Sequence, residues 1–385
     1  MSASRYPLPE QRFKVPMSQQ AIESWVSRFP DYGAPKDAPA LRHAEAVRAL
    51  WRGRLTPMLS PAGTRGRLGG AARQCPPRAA TAMTEMPAGA ESLPYRNSDA
   101  IENILCLDGT LTICLGPGLD EVVQLGRFDM LSVPVDVKHV VKNGGAALAR
   151  FVVALNGPAD SAYAAVVQGA KPAEVSAEAA QALAVSFDTQ PGASVDAAEL
   201  RGRVTRGERL VAYKDELNES TGIPPAATQM LSAGSVYPLI VPVGHTGRAR
   251  TSPMYGLPSL YLSIAECTPG EAGPPPHSHS DTQESFLCIE GEWEMTTGFD
   301  HEFVTTVRPY DLVPVPTKVM RGFRNTGPGR SRLFVIIQGA EKMTDMVAFP
   351  KRVGVEMERR FGAKVVDEFA KIHLIFDAED RVEAA

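Results

Sequence analysis

Two histidines and a glutamate stand close together in the stretch PPPHSHSDTQESFLCIEG, residues 274–291. Side chains two positions apart lie on the same face of a β-strand, so His277 and His279 present both imidazoles to one side. Glu284 returns to that side if the chain turns at SDTQ. Two imidazoles and one carboxylate form the ligand set of non-haem Fe(II) sites and leave coordination positions open. The residues therefore predict a divalent metal, with Fe(II) favoured and Mn(II), Ni(II) or Zn(II) as alternatives.

The same pattern occurs 182 positions earlier, in ESLPYRNSDAIENILCLDG, residues 91–109, but without the histidines. At the same offset, FDMLSVPVDVKHVVKNGG (residues 128–145) matches YDLVPVPTKVMRGFRNTG (residues 310–327). A fixed offset between similar segments is the mark of an internal repeat. The chain therefore contains two copies of one unit, each of about a hundred residues.

The elements that must position these residues are short strands. From residue 79 to about 155, and from about 237 to 338, runs rich in Val, Ile, Leu and Thr are broken by Gly, Pro and Asp. Helical spacing occurs in residues 17–29 and 41–52, and the tail contains a further helical pattern in EMERRFGAKVVDEFAKI. The pattern predicts two all-β units with helical additions.

The motif P-P-H-x-H-x4-E-x6-G resembles the first motif of the cupins, and the later D-x4-P…N stretch resembles their second motif. Two copies in one chain resemble a bicupin. The resemblance implies a mainly β fold of two cupin β-barrels, each a double-stranded β-helix or jelly-roll, with helical additions at both ends. The predicted segments are an N-terminal helical arm (1–54), a first barrel (55–157), a linking segment with a helix (158–232), a second barrel (233–343) and a C-terminal helical tail (344–385).

The first copy lacks the histidine pair. Tyr95 and Asn97 stand where the second copy has His277 and His279, while a glutamate is retained as Glu102. Cupins usually bind their metal through two histidines and a glutamate of the first motif and one histidine of the second motif. The first copy keeps that last histidine as His139, so one histidine and one glutamate remain, and we predict a degenerate, metal-free barrel.

The second copy has Arg321 where the last histidine of the family pattern is expected. A guanidinium beside a divalent cation is repelled unless an anion lies between them. One interpretation is that Arg321 binds the anionic end of a substrate. The alternative is an ion pair between Arg321 and Glu284, which would take the carboxylate away from a metal.

Other side chains near the motifs have weaker patterns. Gln283, Cys288 and Asn325 are candidates for groups that support the metal ligands from behind, although core packing is the more usual explanation for Cys288 and a surface position is an alternative for Gln283. His245 and His301 lie in turn-like segments, and either histidine replaces the missing ligand if its loop folds over the barrel mouth.

Composition excludes several classes of protein. With 385 residues, 44% apolar and 22% charged, the chain is typical of a soluble protein of two domains. A net charge of −4 gives no basic surface for nucleic acid or an anionic membrane. No segment approaches the roughly 18 apolar residues of a membrane span, and the five cysteines form no CxxC pair, so we predict a cytoplasmic protein.

These features together favour an enzyme. The leading hypothesis is a metal-dependent dioxygenase that uses O2 on a small, metal-chelating, anionic aromatic or carbonyl substrate in the second barrel. A redox-neutral isomerase or decarboxylase, or a non-catalytic binding or structural bicupin, remain alternatives, because fold does not determine function. The resemblance further implies a homodimer or higher homo-oligomer.

Overall fold

The chain folds mainly into β-strands, as predicted, with short helices before, between and after two strand-rich regions. Among the described residues no helix has both the length and the apolar character needed to cross a membrane. The structure is a computed structural model, and it describes residues 4–33, 38–245, 252–339 and 345–385.

Two compact units divide the chain. Residues 30–210 form the first unit, and residues 1–29 together with 211–385 form the second unit. The predicted N-terminal arm is therefore shared between the two units. The five-segment division remains a prediction, and its boundary between residues 343 and 344 lies outside the described residues.

The first half of the chain contains the following elements in order: β1 (Phe13–Val15), α1 (Gln19–Trp25), α2 (Ala38–Trp51), β2 (Arg54–Ser60), β3 (Arg73–Gln74), β4 (Ala79–Met86), β5 (Tyr95–Asn97), β6 (Ile101–Asp108), β7 (Leu111–Leu115), β8 (Glu121–Leu125), β9 (Met130–Val133), β10 (His139–Lys142), β11 (Ala149–Asn156), β12 (Ala165–Gln168), α3 (Ala177–Ala182), β13 (Val185–Asp188), α4 (Ala197–Arg201) and β14 (Val204–Thr205).

The second half continues with α5 (Tyr213–Thr221), α6 (Pro225–Met230), β15 (Ser235–Pro242), β16 (Met254–Gly256), β17 (Leu260–Cys267), β18 (Ser278–His279), β19 (Gln283–Glu290), β20 (Trp293–Thr297), β21 (Phe303–Val307), β22 (Leu312–Val315), β23 (Arg321–Asn325), β24 (Ser331–Gln338), β25 (Val347–Ala348), α7 (Lys351–Phe361), α8 (Ala363–Lys371), β26 (Leu374–Ile375) and β27 (Val382–Ala384).

In the first unit the strands form two sheets, in the orders β14-β9-β6-β11-β4-β2-β3 and β13-β12-β5-β10-β7-β8. Strand β7 alternates buried and half-buried residues, which is the pattern of a strand with one face toward a core. Ile104, Leu131 and Phe151 are among the apolar side chains of that core. The two sheets place β5, β6 and β10, which carry Tyr95, Glu102 and His139, around one interior.

In the second unit the largest sheet has the order β16-β15-β17-β24-β19-β22, and β21-β20-β23 form a second sheet. A third sheet, β18-β25-β26, joins the strand of His279 to the C-terminal tail. Phe286, Trp293 and Phe323 pack in the core with edge-to-face rings. The site strands are thus supported both by the repeated unit and by residues that follow it.

The strands confirm the internal repeat. Strands β7, β8, β9 and β11 recur as β20, β21, β22 and β24 with the same lengths at the offset of 182. The glycines that end the first motifs, Gly109 and Gly291, have φ angles of 79° and 82° in the two corresponding hairpins. Left-handed backbone is accessible to glycine without the clash that a Cβ creates, so the turn requires this residue.

The helical additions differ in detail from the sequence prediction. Ser18 caps α1 by accepting a hydrogen bond from the backbone N–H of Ala21 at 3.1 Å, as predicted. The predicted single helix of the tail is two helices, α7 and α8, because Gly362 has a φ of 84° between them. The predicted linking segment, 158–232, contains strands β12, β13 and β14 and helices α3 to α6 rather than one helix.

Candidate metal centre

The three predicted ligands meet in the interior of the second unit. His277 exchanges two backbone hydrogen bonds with Arg321, at 3.0 and 2.8 Å, and His279 pairs with Val347 across β18 and β25. Glu284 lies near the start of β19. Strand alternation brings both imidazoles to one side, and the turn at residues 280–282 returns the chain so that the carboxylate faces them.

The side chains form a compact group. The ligand atoms of His277, His279 and Glu284 all lie within 4.8 Å of one another. The two Nε2 atoms are 3.6 and 3.5 Å from the same carboxylate oxygen, Glu284 Oε2. The side chains of the histidines are only 3% and 5% exposed, so the group is largely shielded from water.

The outer nitrogens of both rings have fixed partners. Nδ1 of His277 donates to the backbone carbonyl of Pro275 at 3.1 Å, and Nδ1 of His279 donates to Asp345 Oδ2 at 2.7 Å. In a neutral ring the Nε2 lone pair then points inward, and Nε2 of His279 is buried without a hydrogen-bond partner among the residues that the structure describes. Lone pairs converging on a buried carboxylate are unfavourable without a cation between them, so the donor set fits a divalent metal.

The surroundings keep the ligands in the protonation states that a metal requires. Burial lowers the pKa of His277 to about 4, against the opposing effect of Glu284, so the ring is neutral near pH 7. Burial opposes ionisation of Glu284, but the histidines in their protonated form and the charge of Arg321 outweigh it and hold the pKa of the carboxyl well below its usual range. The Asp345 carboxyl is also buried, yet its hydrogen bond with His279 lowers its pKa to about 2.

Arg321 does not lie where a substrate-binding group is expected. The side chain is fully buried and does not line the cavity beside the ligands. Its Nη1 is 3.5 Å from Glu284 Oε2, and its Nη2 donates to the carbonyl of Pro316 at 2.7 Å. The geometry therefore corresponds to the ion pair with Glu284. The predicted contact with a substrate is corrected, because the two terminal nitrogens of Arg321 contact Glu284 and Pro316 and the side chain does not line the cavity.

A cavity of about 110 Å³ opens beside the three ligands. Most of its wall is apolar and includes Leu231, Val236, Phe323, Val335 and Ile337. Part of the wall comes from residues outside the repeated unit, in the segments 213–232 and 345–374. Apolar walls with a few convergent polar groups are typical of a small-molecule site.

The three residues predicted to support the ligands lie elsewhere. Gln283 is adjacent to Glu284 on β19, so its side chain lies on the opposite face of the strand, where it donates to Ser285 Oγ at 3.2 Å. Cys288 is buried in the apolar core. Asn325 donates to the carbonyls of Cys267 and Gly329 and so stabilises a turn.

The fold places His245 beside the cavity but His301 away from it. His245 lines the cavity, with its ring centroid 5.7 Å from that of Tyr261. His301 lies in a turn with a φ of 59°, and its Nδ1 is 2.7 Å from Thr296 Oγ1. Neither belongs to the group of ligand atoms found among the described residues.

The degenerate site of the first unit is also assembled, but around an arginine. Glu102 accepts hydrogen bonds from Tyr95 OH at 2.9 Å, Asn97 Nδ2 at 2.5 Å and Arg67 Nη2 at 3.1 Å. His139 Nε2 is 3.5 Å from the same carboxylate. Arg67 Nη2 also donates to Asn97 Oδ1 at 2.6 Å, so one guanidinium contacts the glutamate and one of the two replaced positions.

Arg67 also fills space. It is 1% exposed, and its guanidinium lies over the rings of Trp51 and Tyr95 at 5.0 and 5.3 Å. The remaining cavity beside Glu102 measures about 10 Å³, no more than about one water molecule occupies. Both units thus place an arginine beside the glutamate, but the first unit surrounds Glu102 with further donors, whereas the second unit turns two imidazoles toward Glu284.

Sequence reasoning missed Arg67 and Asp345, the two charged residues that complete the two clusters. Arg67 lies in a short 3-10 helix within a glycine-rich stretch that reads as a loop. Asp345 follows the last strand of the second repeat and has no motif around it. Their partners are 35 and 66 residues away, so local spacing contains no signal for either contact.

The sequence profile described as a cupin domain matches residues 82–155 and 263–337. No curated protein matches the sequence. The chain is similar to the solved structure of Momordica charantia 7S globulin, with 12% sequence identity and a TM-score of 0.45; the match covers 74% of this chain and 85% of the globulin. It is also similar to a mutant salicylate 1,2-dioxygenase from Pseudoaminobacter salicylatoxidans, with 14% identity and a TM-score of 0.44; this match covers 74% of this chain and 76% of the dioxygenase. A third similar structure is oxalate decarboxylase from Bacillus subtilis, with 16% identity and a TM-score of 0.44; the match covers 78% of this chain and 80% of the decarboxylase.

Proposed function

Since this chain is a bicupin, with two cupin domains in one polypeptide, we propose that its second domain is a metal-dependent oxygenase of the dioxygenase type. One observation carries the proposal. His277, His279 and Glu284 converge at the edge of a mostly apolar cavity, and no described residue gives the buried Nε2 atom of His279 a hydrogen-bond partner. The expected substrate is small, chelating and anionic, with an aromatic or carbonyl group.

Fe(II) is the proposed metal because two imidazoles and one carboxylate suit it and leave positions open for other ligands. The usual fourth protein ligand is absent at its expected position, which Arg321 occupies. When bound, Fe(II) supplies the one-electron redox chemistry that allows O2 to react with a closed-shell organic molecule. Mn(II), Ni(II) or Zn(II) in the same site would favour redox-neutral work, such as isomerisation or decarboxylation.

The protein's own side chains would hold the ligands and set the charge of the site. Glu284 and Asp345 are negative and Arg321 is positive, so a divalent ion makes the local charge positive overall. An excess positive charge in a buried site favours an anionic substrate. Arg321 Nη1 lies 3.5 Å from Glu284 Oε2, the oxygen that both imidazoles face, so Arg321 would partly neutralise Glu284 without touching the substrate. A metal would then bind the carboxylate in competition with this ion pair.

The cavity wall would exclude water and select the body of the substrate. Phe323, Val335 and Ile337 offer apolar contact, which favours an aromatic or aliphatic group attached to the chelating end. A dry site strengthens electrostatic interactions between the ligands and the substrate. The proposed partners are therefore a small molecule and O2, and the proposal involves neither nucleic acid nor a membrane.

The test is the metal content of untagged protein purified without oxygen, measured by mass spectrometry. We expect about one iron per chain, lost when His277 and His279 are both changed to Gln, because two of the three ligands are removed. A matched variant, with His139 and His301 changed to Gln, should keep the iron. Iron-loaded protein should then consume O2 in the presence of a chelating anionic substrate, as measured with an oxygen electrode.

Other outcomes would contradict parts of the proposal. Stoichiometric manganese, nickel or zinc with no O2 uptake would replace the oxygenase by a redox-neutral enzyme. Absence of bound metal in the wild-type protein, even after reconstitution with Fe(II), would overturn the enzyme and favour a binding or structural bicupin.

A further inference from the structure

We propose that Asp345 is a positioning residue that orients His279 and strengthens it as a metal ligand. The inference rests on the proposed function, because it assumes that His279 binds a metal. It assigns a role to a residue that lies after the last strand of the second repeat and outside the family motifs.

The Asp345 carboxylate is held in one place. Its Oδ1 accepts hydrogen bonds from Ser280 Oγ at 2.8 Å and from the backbone N–H of Asp281 at 2.9 Å. Its Oδ2 accepts from Thr282 Oγ1 and from Nδ1 of His279, the latter at 2.7 Å. Four donors from consecutive residues, 279 to 282, therefore surround one carboxylate that is only 10% exposed.

This arrangement determines which nitrogen of His279 faces inward. A neutral imidazole exists in two tautomers, and an acceptor at Nδ1 selects the one with a bare Nε2. Nε2 of His279 is the atom that lies 3.5 Å from Glu284 Oε2. A carboxylate partner also increases the basicity of the ring, which strengthens its bond to a metal.

The two histidines differ in this respect. His277 has only a neutral partner, the carbonyl of Pro275, at its Nδ1. The tail nevertheless supports this ring too, because Phe349 stacks on it with centroids 5.5 Å apart. The segment 345–349 thus contacts both ligands, and its strand β25 pairs with the strand of His279.

In the described part of the first unit, residues 30–33 and 38–210, no equivalent group is found. The position 182 residues before Asp345 is Tyr163, and the residue that replaces His279 there is Asn97, which bonds to Arg67 and Glu102. Among the described residues, a carboxylate behind the ligand is found only in the unit whose cluster fits a metal. This correlation is expected if Asp345 serves metal binding rather than folding of a cupin domain in general.

The experiment is a titration of the full-length apoprotein with Co²⁺, followed by its visible d–d absorption. Wild type is compared with Asp345→Asn and Asp345→Ala. The control variant is Asp281→Asn, which removes one negative charge at an exposed residue near the site. We expect Asp345→Ala to weaken Co²⁺ binding about 10- to 100-fold and to shift the absorption bands. Asp345→Asn retains an acceptor for Nδ1 without the charge, so it should fall between wild type and the alanine variant.

Three results would overturn the inference. Equal affinity and identical spectra for wild type and both Asp345 variants would remove the role of Asp345 and leave the proposed metal site intact. An Asp281→Asn variant as weak as Asp345→Asn would show that only the total charge matters. Failure of wild type to bind Co²⁺ would overturn the proposed function and this inference together. If Asp345→Ala does not fold, Asp345→Asn alone decides between these results.

Discussion

At the scale of single residues, the two units present two ways of keeping a glutamate ionised inside a protein. Glu102 is fully buried and receives hydrogen bonds from an arginine, a tyrosine and an asparagine. Glu284 faces two imidazoles whose inner nitrogens carry lone pairs, and Arg321 Nη1 lies 3.5 Å from the same carboxylate oxygen. Burial of a charge is costly unless a partner compensates it. The first unit contains its compensation, whereas the second leaves room for an ion.

Replacing Arg67 by Met should destabilise the first unit strongly. The change leaves Glu102 buried without its cation, and loss of one partner of a buried ion pair costs about 3 to 5 kcal/mol. Urea unfolding followed by circular dichroism measures the loss of unfolding free energy. Adding Glu102→Gln should recover part of the loss, because the unpaired charge is then removed. The exposed pair Arg359–Glu356 provides the control, since Arg359→Met should change the unfolding free energy little.

Tyr95 should make stability depend on alkaline pH. Burial, with the neighbouring Glu102, raises the pKa of its phenol well above the ordinary value of 10.0. A folded pKa above the unfolded pKa gives stability that is complete below about pH 10 and is lost as pH rises through the folded pKa. The wild-type unfolding free energy should therefore decrease above pH 10 by up to about 1.4 kcal/mol per pH unit from this group.

The measurement is urea unfolding of wild type and Tyr95→Phe at several pH values between 8 and about 11. The Phe variant should be less stable at pH 8, because it lacks the hydrogen bond to Glu102, but it should lose less stability as the pH rises. Tyr255→Phe, at an exposed tyrosine, should keep the wild-type slope. Equal slopes for wild type and Tyr95→Phe would contradict the prediction.

At the scale of elements, the site depends on hairpins and on one short added sheet. Strands β19 and β20 are joined at Gly291, directly after the strand that carries Glu284. Before that strand, β18 contains His279 and pairs with β25, which belongs to the C-terminal tail and lies outside the repeated unit. The ligands are therefore positioned by backbone pairing on both sides of the turn that separates them.

Gly291→Ala should be much more damaging than Gly270→Ala. Both glycines have left-handed φ angles, 82° and 74°, which costs an L-residue about 1 to 2 kcal/mol. An added Cβ at Gly291 would lie 1.8 Å from Ser331 Oγ, whereas one at Gly270 would meet nothing within 4 Å. We expect a loss of unfolding free energy of about 3 kcal/mol or more for Gly291→Ala and about 1 kcal/mol for Gly270→Ala, measured by urea unfolding. Similar losses would mean that backbone strain alone determines the cost.

At the scale of the whole molecule, the segments added to the two repeats have opposite effects on the two interiors. In the first unit, Trp51 and Arg67 precede the repeat and fill the space beside Glu102 down to about 10 Å³. In the second unit, the segments 213–232 and 345–374 form part of a wall around a cavity of about 110 Å³. The two repeats form similar cores, and the residues outside the repeats account for the different cavity volumes of the two interiors.

A large part of the fold and of the candidate site was predictable from the sequence. The offset of 182 identified two copies of one β unit, and the profile matches to both copies confirm it. The spacing of His277, His279 and Glu284 predicted the group that the structure brings together. The first inference works because a repeat appears in the sequence as a constant offset. The second works because the side of a strand that a residue faces depends on its spacing from its neighbours.

The tertiary structure alone decided which charges complete each cluster. Arg67 reaches Glu102 across 35 positions, and Asp345 reaches His279 across 66. It also decided that Arg321 contacts Glu284 instead of the cavity, a choice that the sequence left open. Contacts of this kind arise when packed sheets bring remote segments together, and that closeness depends on the path of the whole chain. The sequence alone determined which residues could form the two clusters, but the tertiary structure decided which distant residues contact one another.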